Sequence, residues 1–193
     1  MKHAESSSAE ETVGEDMMRS YRWVVPLFSL FLLDVRIAAD EAEDRAVALI
    51  KKLDGSFERD KRKAEKPVIR VNLEFSKACD ADLKILSGLK HLQALNLDGT
   101  TVTGAGLKEL ASLKGLQDLH LHSTKVGDAD LKELATLKGL QFLNLTATKI
   151  TDAGLKELAA LKRLEVLNLT GTKVTKVAVQ QLQKALPKTR IVQ

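Results

Sequence analysis

A 24-residue unit repeats in tandem through the C-terminal part of the chain. Residues 89–112 read LKHLQALNLDGTTVTGAGLKELAS, and residues 113–136, 137–160 and 161–184 open on LKGLQDLHL, LKGLQFLNL and LKRLEVLNL. A period of this length is typical of units that bury their apolar faces only against neighbouring copies. The chain is therefore predicted to fold as a stack of similar coils.

Each unit contains a strand pattern followed by a helix pattern. The LxxLxL stretch alternates as a strand does, whereas AGLKEL has helical spacing. In residues 89–112, Leu95 and Leu97 of the strand are expected to meet Leu107 and Leu110 of the helix. Stacked strands lie about 4.8 Å apart and stacked helices about 8–10 Å apart. The pattern predicts a curved α/β solenoid, with parallel strands on the concave side and helices on the convex side.

The ends of the array depart from the repeated pattern. Residues 68–88 keep the same apolar spacing, which predicts about five repeats in a domain spanning 68–193. Pro187 stops the last helix, and Arg190 begins a strand-like C-terminal cap. Residues 40–67 open with the apolar spacing of an amphipathic helix. This helix and the loop after it are predicted to cap the N-terminal end, because a terminal repeat needs a polar outer face.

The segment before the helix predicts export. Residues 1–16 are acidic and Ser-rich, which predicts a disordered leader. In residues 17–39 a basic flank precedes the apolar run 23–33, and small residues follow near Ala39, as in a secretory signal peptide. The run is too short to span a bilayer, which takes about 20 residues. We expect a secreted, periplasmic or cell-envelope protein if the signal is used and a cytoplasmic one otherwise; the alternative is an uncleaved anchor or a partner-packing helix.

Composition narrows the function classes further. Aromatic residues make up only 4% of the chain, which argues against stacking platforms for nucleic acid. The net charge of +4 is distributed by the repeat, so no specific nucleic-acid partner is expected. The single cysteine, Cys79, excludes an internal disulfide and a multi-cysteine metal site. The sequence contains no catalytic or phosphate-binding motif. We expect a monomer that is not an enzyme and needs no cofactor.

The unit LxxLxLxxTxVTxAGLKEL resembles the leucine-rich repeat family in its short bacterial form of 24 residues. The resemblance spans residues 68–193 and implies a right-handed solenoid that binds a protein or peptide through its concave sheet. Threonine stands where many members of the family have asparagine, and its hydroxyl is expected to bond the turn backbone. These positions are Ser76, Thr100, Thr124, Thr148 and Thr172.

The candidate binding residues are the outward positions of the predicted strands, since alternation places them together on the concave face. They are Asn72, Asn96, Asp98, Asp118, His120, His122, Phe142, Asn144 and Asn168. The four asparagines have two interpretations, a structural amide ladder between adjacent strands or a hydrogen-bonding surface for an extended ligand. Phe142 is either a binding anchor or an ordinary apolar surface residue.

The third repeat carries a distinct pair of histidines. His120 and His122 are two residues apart, so both imidazoles are expected to face the concavity, with Asp98 of the neighbouring strand beside His122. Two histidines and a carboxylate are ligands that suit Zn²⁺. The alternatives to a protein-binding module are therefore an exported metal- or glycan-binding surface protein that uses these histidines, and a hydrolase.

Overall fold

The computed structural model describes residues 40–193. The predicted leader and signal peptide lie outside these residues, so both they and the predicted export remain predictions. Residues 42–193 form one compact unit. Within the part of the chain that the structure describes, no helix is long and apolar enough to cross a membrane.

Within residues 40–193, seven strands form one sheet in the order in which they occur along the chain. The first two are antiparallel, and all later neighbours are parallel. The strands are β1 (Ser56–Arg59), β2 (Val68–Asn72), β3 (Ala94–Asn96), β4 (Asp118–His120), β5 (Phe142–Asn144), β6 (Val166–Asn168) and β7 (Arg190–Val192). The parallel pairs are offset by one repeat, so that Leu95 lies opposite Leu119. This confirms the predicted parallel sheet; strands β2 to β6 belong to coils 1 to 5.

Helices return the chain from each strand to the next. The α-helices are α1 (40–52), α2 (Asp80–Leu86), α3 (Gly104–Leu107), α4 (Leu131–Leu134), α5 (Asp152–Leu155) and α6 (Lys176–Ala185). Three 3-10 helices extend them in coils 2 to 4, at Lys108–Ser112, Asp128–Asp130 and Lys156–Ala160. The middle coils therefore hold only one turn of regular α-helix, and 3-10 geometry, which is common beside short helices, completes the return.

The repeated leucines form a continuous core. The central leucines of β3 to β6 are fully buried, as are leucines of the facing helices such as Leu110 and Leu134. Each buried leucine stabilises the fold by about 1.5–3 kcal/mol. Ala46 and Ile50 of α1 extend the same core at its N-terminal end. The inward orientation predicted from the alternation is confirmed, and each coil depends on its neighbours for burial.

The threonines of the turn bond their own coil. The hydroxyls of Thr100, Thr124, Thr148 and Thr172 donate to the carbonyl oxygen three residues earlier at 2.7, 2.8, 2.6 and 2.7 Å. The first three side chains are buried. The expected bond to the turn backbone is confirmed, and it fixes the end of each strand without linking the coils.

A left-handed backbone position recurs once in every coil. It lies in the turn after the strand, where φ is 53° at Phe75, 68° at Gly99, 55° at Ser123, 54° at Ala147 and 71° at Gly171. Glycine adopts this conformation freely, whereas a residue with a Cβ atom is strained by about 1–2 kcal/mol. The turn is therefore strained in three of the five coils.

Ala147→Gly is expected to stabilise the protein by about 0.5–1 kcal/mol. The relief of left-handed strain exceeds the extra entropy that glycine loses on folding. Gly171→Ala is the reciprocal control, because a Cβ atom there would lie no closer than 3.6 Å to its neighbours and only the backbone would be strained. Urea unfolding measures both changes. An Ala147→Gly variant that is less stable than the parent would contradict the assigned strain.

Hydrogen bonds between coils cross the helical side. Asp128 accepts from the backbone N–H of Thr151 at 2.8 Å and from its hydroxyl at 2.6 Å. The same Asp–Thr clamp joins Asp80 to Thr103 and Asp152 to Thr175. Each of these threonines also caps the helix that follows it. One aspartate thus links two coils and fixes the start of a helix.

Candidate functional site

The outward side chains of the parallel strands form two columns on the sheet. Cα register places Arg70, Ala94, Asp118, Phe142 and Val166 side by side in one column. Asn72, Asn96, His120, Asn144 and Asn168 form the second column. All are at least partly exposed. Seven of the nine predicted site residues lie in these columns, while Asp98 and His122 follow the ends of their strands.

A depression of about 270 Å³ lies between β1 and β4 on this face. Its floor includes Ala94, whose methyl group is small compared with its column neighbours Arg70 and Asp118. Asn72, Asn96, Glu58 and His120 are among the residues that complete its lining. Because the small side chain of Ala94 lies between two larger side chains of the same column, the surface of the sheet is concave at this point.

The charged groups of the depression differ in their pairing. The Arg70 Nε atom lies 3.6 Å from Glu58 Oε2, and both side chains are more than half exposed, so this ion pair contributes little to stability. The carboxylate of Asp118 is half-buried. It has no hydrogen-bond or ion-pair partner among residues 40–193. Asp118 therefore presents an unpaired negative charge to the depression.

Two rings stand beside Asp118. His120 and Phe142 stack with centroids 4.8 Å apart and planes inclined by 28°. Phe142 lies opposite Asp118 in the register of β4 and β5. Offset stacking of this kind orients both rings. The pair places a partly exposed aromatic stack beside Asp118.

The asparagines do not form the predicted ladder. The Oδ1 atoms of Asn72, Asn96, Asn144 and Asn168 accept a hydrogen bond from the backbone N–H two residues later, at 2.9–3.0 Å. This is the local turn that short amide side chains favour. The amide-ladder interpretation is therefore wrong, because each side chain closes the end of its own strand. The amide nitrogens have no partner among residues 40–193.

In coil 3 the same turn is closed from the neighbouring coil. His120 replaces asparagine and has no side-chain oxygen, so the His122 backbone N–H instead donates to Asp98 Oδ1 at 2.6 Å. Asp98 Oδ2 lies 3.9 Å from His120 Nδ1. The prediction that Asp98 lies beside His122 is confirmed, but Asp98 is only 8% exposed. Its Oδ1 atom therefore closes the turn after β4.

The histidines do not assemble a metal site within residues 40–193. His122 Nδ1 lies 3.2 Å from the Thr146 carbonyl oxygen, and its Nε2 lies 3.1 Å from the Ser123 hydroxyl. No group of three or more His, Cys, Asp or Glu side chains in this range is arranged to hold a metal ion. The zinc alternative gains no support from this geometry.

The contact between Ser123 and His122 is not that of a nucleophile and its base. The Ser123 hydroxyl lies 3.1 Å from Nε2 and also 3.5 Å from Nδ1. A hydroxyl aligned with the lone pair of one ring nitrogen is much farther from the other, so the bond is poorly directed. The hydrolase alternative therefore has no favourable observation in the described part of the chain.

Phe75 is a surface feature that sequence reasoning missed. Its side chain is 70% exposed, although its backbone is in the left-handed region with φ of 53°. A Cβ atom on Gly99 would lie 2.2 Å from the Phe75 ring, so the ring covers this glycine. A bulky residue in this conformation is uncommon and often marks a functional position. Glycine at the equivalent positions 99 and 171 was the sequence signal for it.

Comparisons with known proteins agree with the fold. The family model described as Leucine Rich repeat matches residues 88–111 and 140–159. The ectodomain of the receptor kinase SOBIR1 from Arabidopsis thaliana is 15% identical, with a TM-score of 0.53 over 79% of this chain and 91% of that one. No curated protein sequence is significantly similar to the chain. The chain contains leucine-rich repeats and folds as a leucine-rich-repeat solenoid.

Two bacterial structures show higher identity over a shorter part of the chain. A leucine-rich-repeat protein of Leptospira interrogans is 30% identical, and internalin C2 of Listeria monocytogenes is 31% identical. Each matches 56% of this chain with a TM-score of 0.45. The chain spans 27% of the first protein and 46% of the second.

Proposed function

We propose that the chain is an interaction module that binds a protein or peptide on its concave sheet. The observation that carries this proposal is a contrast within the strands. The inward positions are repeated leucines, whereas the outward column runs Arg, Ala, Asp, Phe and Val at residues 70, 94, 118, 142 and 166. The inward leucines account for the packing of the coils against one another. The outward residues differ from coil to coil, so the surface varies in charge and polarity along the sheet.

The groups on this face suit an extended polypeptide ligand. The free amide nitrogens of Asn72, Asn96, Asn144 and Asn168 are donors for ligand carbonyl groups. The half-buried ring of Phe142 is an aromatic anchor of the type that dominates binding energy at interfaces. The other predicted site residues, Asp118, His120 and His122, lie on or beside the same strands. Asp98 accepts a hydrogen bond from the His122 backbone N–H.

Phe142→Ala is expected to weaken the complex with the partner by about 2 kcal/mol, because it removes the central anchor. The partner is captured with the unmodified chain, and its dissociation constant is then measured for each variant. Ile85→Ala is the matched control, because Ile85 is also a partly exposed apolar residue, at 40%, but lies on helix α2. Loss of binding in the control, or unchanged binding in Phe142→Ala, would contradict recognition by the concave sheet.

A further inference from the structure

We propose that the depression over Ala94 is a subsite for an arginine side chain of the bound protein or peptide. This inference rests on the proposed function, since it names a group that the ligand carries. Asp118 is the counter-ion of the guanidinium group, and the ring of His120, which Phe142 supports by stacking, is the surface on which the guanidinium plane stacks.

The shape of the site admits a long side chain from above the sheet. Ala94 lies between Arg70 and Asp118 in the register of β2, β3 and β4. Its methyl group leaves a depression of about 270 Å³ that is open to solvent on the concave face. A polypeptide laid across the strands can therefore direct one side chain into it.

The charge of the site favours a cation. Glu58 and Arg70 are close enough to offset each other, with 3.6 Å between Oε2 and Nε. Asp118 then leaves one uncompensated negative charge in the lining. Because Asp118 is half-buried and unpaired among residues 40–193, a cation placed against it is less screened than one at a fully exposed carboxylate.

The acceptor set points to the same group. The Oδ1 atoms of Asn72 and Asn96, which also line the depression, already accept backbone N–H groups. Two carboxylates line the depression, and Glu58 is paired with Arg70, so among the lining residues Asp118 is the carboxylate with both oxygens available. Guanidinium binds carboxylate through two parallel hydrogen bonds, which a single ammonium group cannot reproduce.

The aromatic ring in the lining distinguishes arginine from lysine. His120 lines the depression and stacks on Phe142 at 4.8 Å, with Phe142 opposite Asp118. A planar guanidinium stacks on aromatic faces and is more weakly hydrated than an ammonium group. An arginine bound by Asp118 can therefore lie flat against the His120 ring, whereas lysine gains only the charge.

The test titrates the full chain with a capped pentapeptide, Gly-Gly-Arg-Gly-Gly, and with the same peptide carrying citrulline or lysine. Amide NMR signals of Ala94, Asp118 and Phe142 report binding. We expect the arginine peptide to bind at least tenfold more tightly than the citrulline peptide, which has the same shape without charge, and more tightly than the lysine peptide. Comparing peptides on the unmodified chain removes any dependence on the folding of a variant.

Asp118→Asn is expected to abolish the preference for arginine over citrulline. Glu165→Gln is the matched control, because it removes the same charge at an exposed position outside the depression and should leave the preference intact. The proposal is overturned if no peptide binds, if citrulline or lysine binds as tightly as arginine, or if Asp118→Asn keeps the preference. If the captured partner needs Phe142 but is indifferent to Asp118→Asn, the arginine subsite fails while the concave interface stands.

Discussion

Leu119→Asp is expected to unfold the whole solenoid. Leu119 is fully buried in β4, between Leu95 and Leu143 of the adjacent strands. The substitution removes an apolar contact and places an unpaired carboxylate in the core, which together costs several kcal/mol. Domains of this kind have a total stability of only about 5–15 kcal/mol. Since each coil is stabilised by its neighbours, damage in the middle strand propagates to both ends.

Circular dichroism and thermal melting measure this effect. Gln117→Asp introduces the same side chain two residues earlier, at an exposed position, and is expected to change the stability by no more than about 0.5 kcal/mol. A Leu119→Asp variant that melts cooperatively near the temperature of the parent would show that the strand register assigned to β4 is wrong.

The repeat period explains why so much of this fold could be predicted from the sequence. A period of 24 residues fixes which positions are equivalent, and alternation within LxxLxL then fixes which of them face the core. The buried leucines, the parallel register and the bonds of the turn threonines therefore followed from pattern alone. None of these features depends on the identity of a neighbouring side chain outside the repeat.

The details of the candidate site depended on backbone geometry that the pattern does not contain. An asparagine at a strand end can bond the next strand or close its own turn. Here the second arrangement is found, since Oδ1 accepts the N–H two residues later at 3.0 Å in both Asn72 and Asn168. The stack of His120 on Phe142 likewise depends on rotamers. The left-handed backbone of Phe75 could not be predicted from the residue itself, because phenylalanine does not favour that conformation. The glycines at the equivalent positions, Gly99 and Gly171, were the indication in the sequence.

The helix starts show a dependence between positions that the leucine pattern conceals. At each of these helix starts, the backbone N–H of the N-cap residue donates to one of two aspartates. It is either the clamp aspartate of the preceding coil or an aspartate three residues later in the same coil. Asp130 bonds the Gly127 N–H in the second way, at 2.9 Å, and Asp82 bonds the Cys79 N–H likewise.

The two arrangements exclude each other sterically. A Cβ atom on Gly104 would lie 1.8 Å from Asp130 Oδ1, and one on Gly154 would lie 2.6 Å from Asp128 Oδ1.

Asp128→Ala is expected to destabilise the protein by about 2–3 kcal/mol, because it removes two charge-assisted hydrogen bonds and leaves the Thr151 N–H unsatisfied. Asp130→Ala removes a single bond to Gly127 and is expected to lose only about 1 kcal/mol. Urea unfolding of both variants measures the difference. Equal losses would contradict the assignment of a stronger link to the clamp between coils.

Building the clamp into coil 3 tests whether stabilisation needs the complete Asp–Thr arrangement or the aspartate alone. Gly104→Asp alone should destabilise the protein, because its Cβ displaces Asp130 from Gly127. Adding Gly127→Thr and Asp130→Gly supplies the hydroxyl and the space found around Asp128, Thr151 and Gly154, so the triple variant should recover the parental stability. If the triple variant stays as unstable as Gly104→Asp, the alternation of the two caps reflects something other than their mutual exclusion. Recovery would show that the residue types tolerated at these three positions of neighbouring coils depend on one another, which the 24-residue period alone does not reveal.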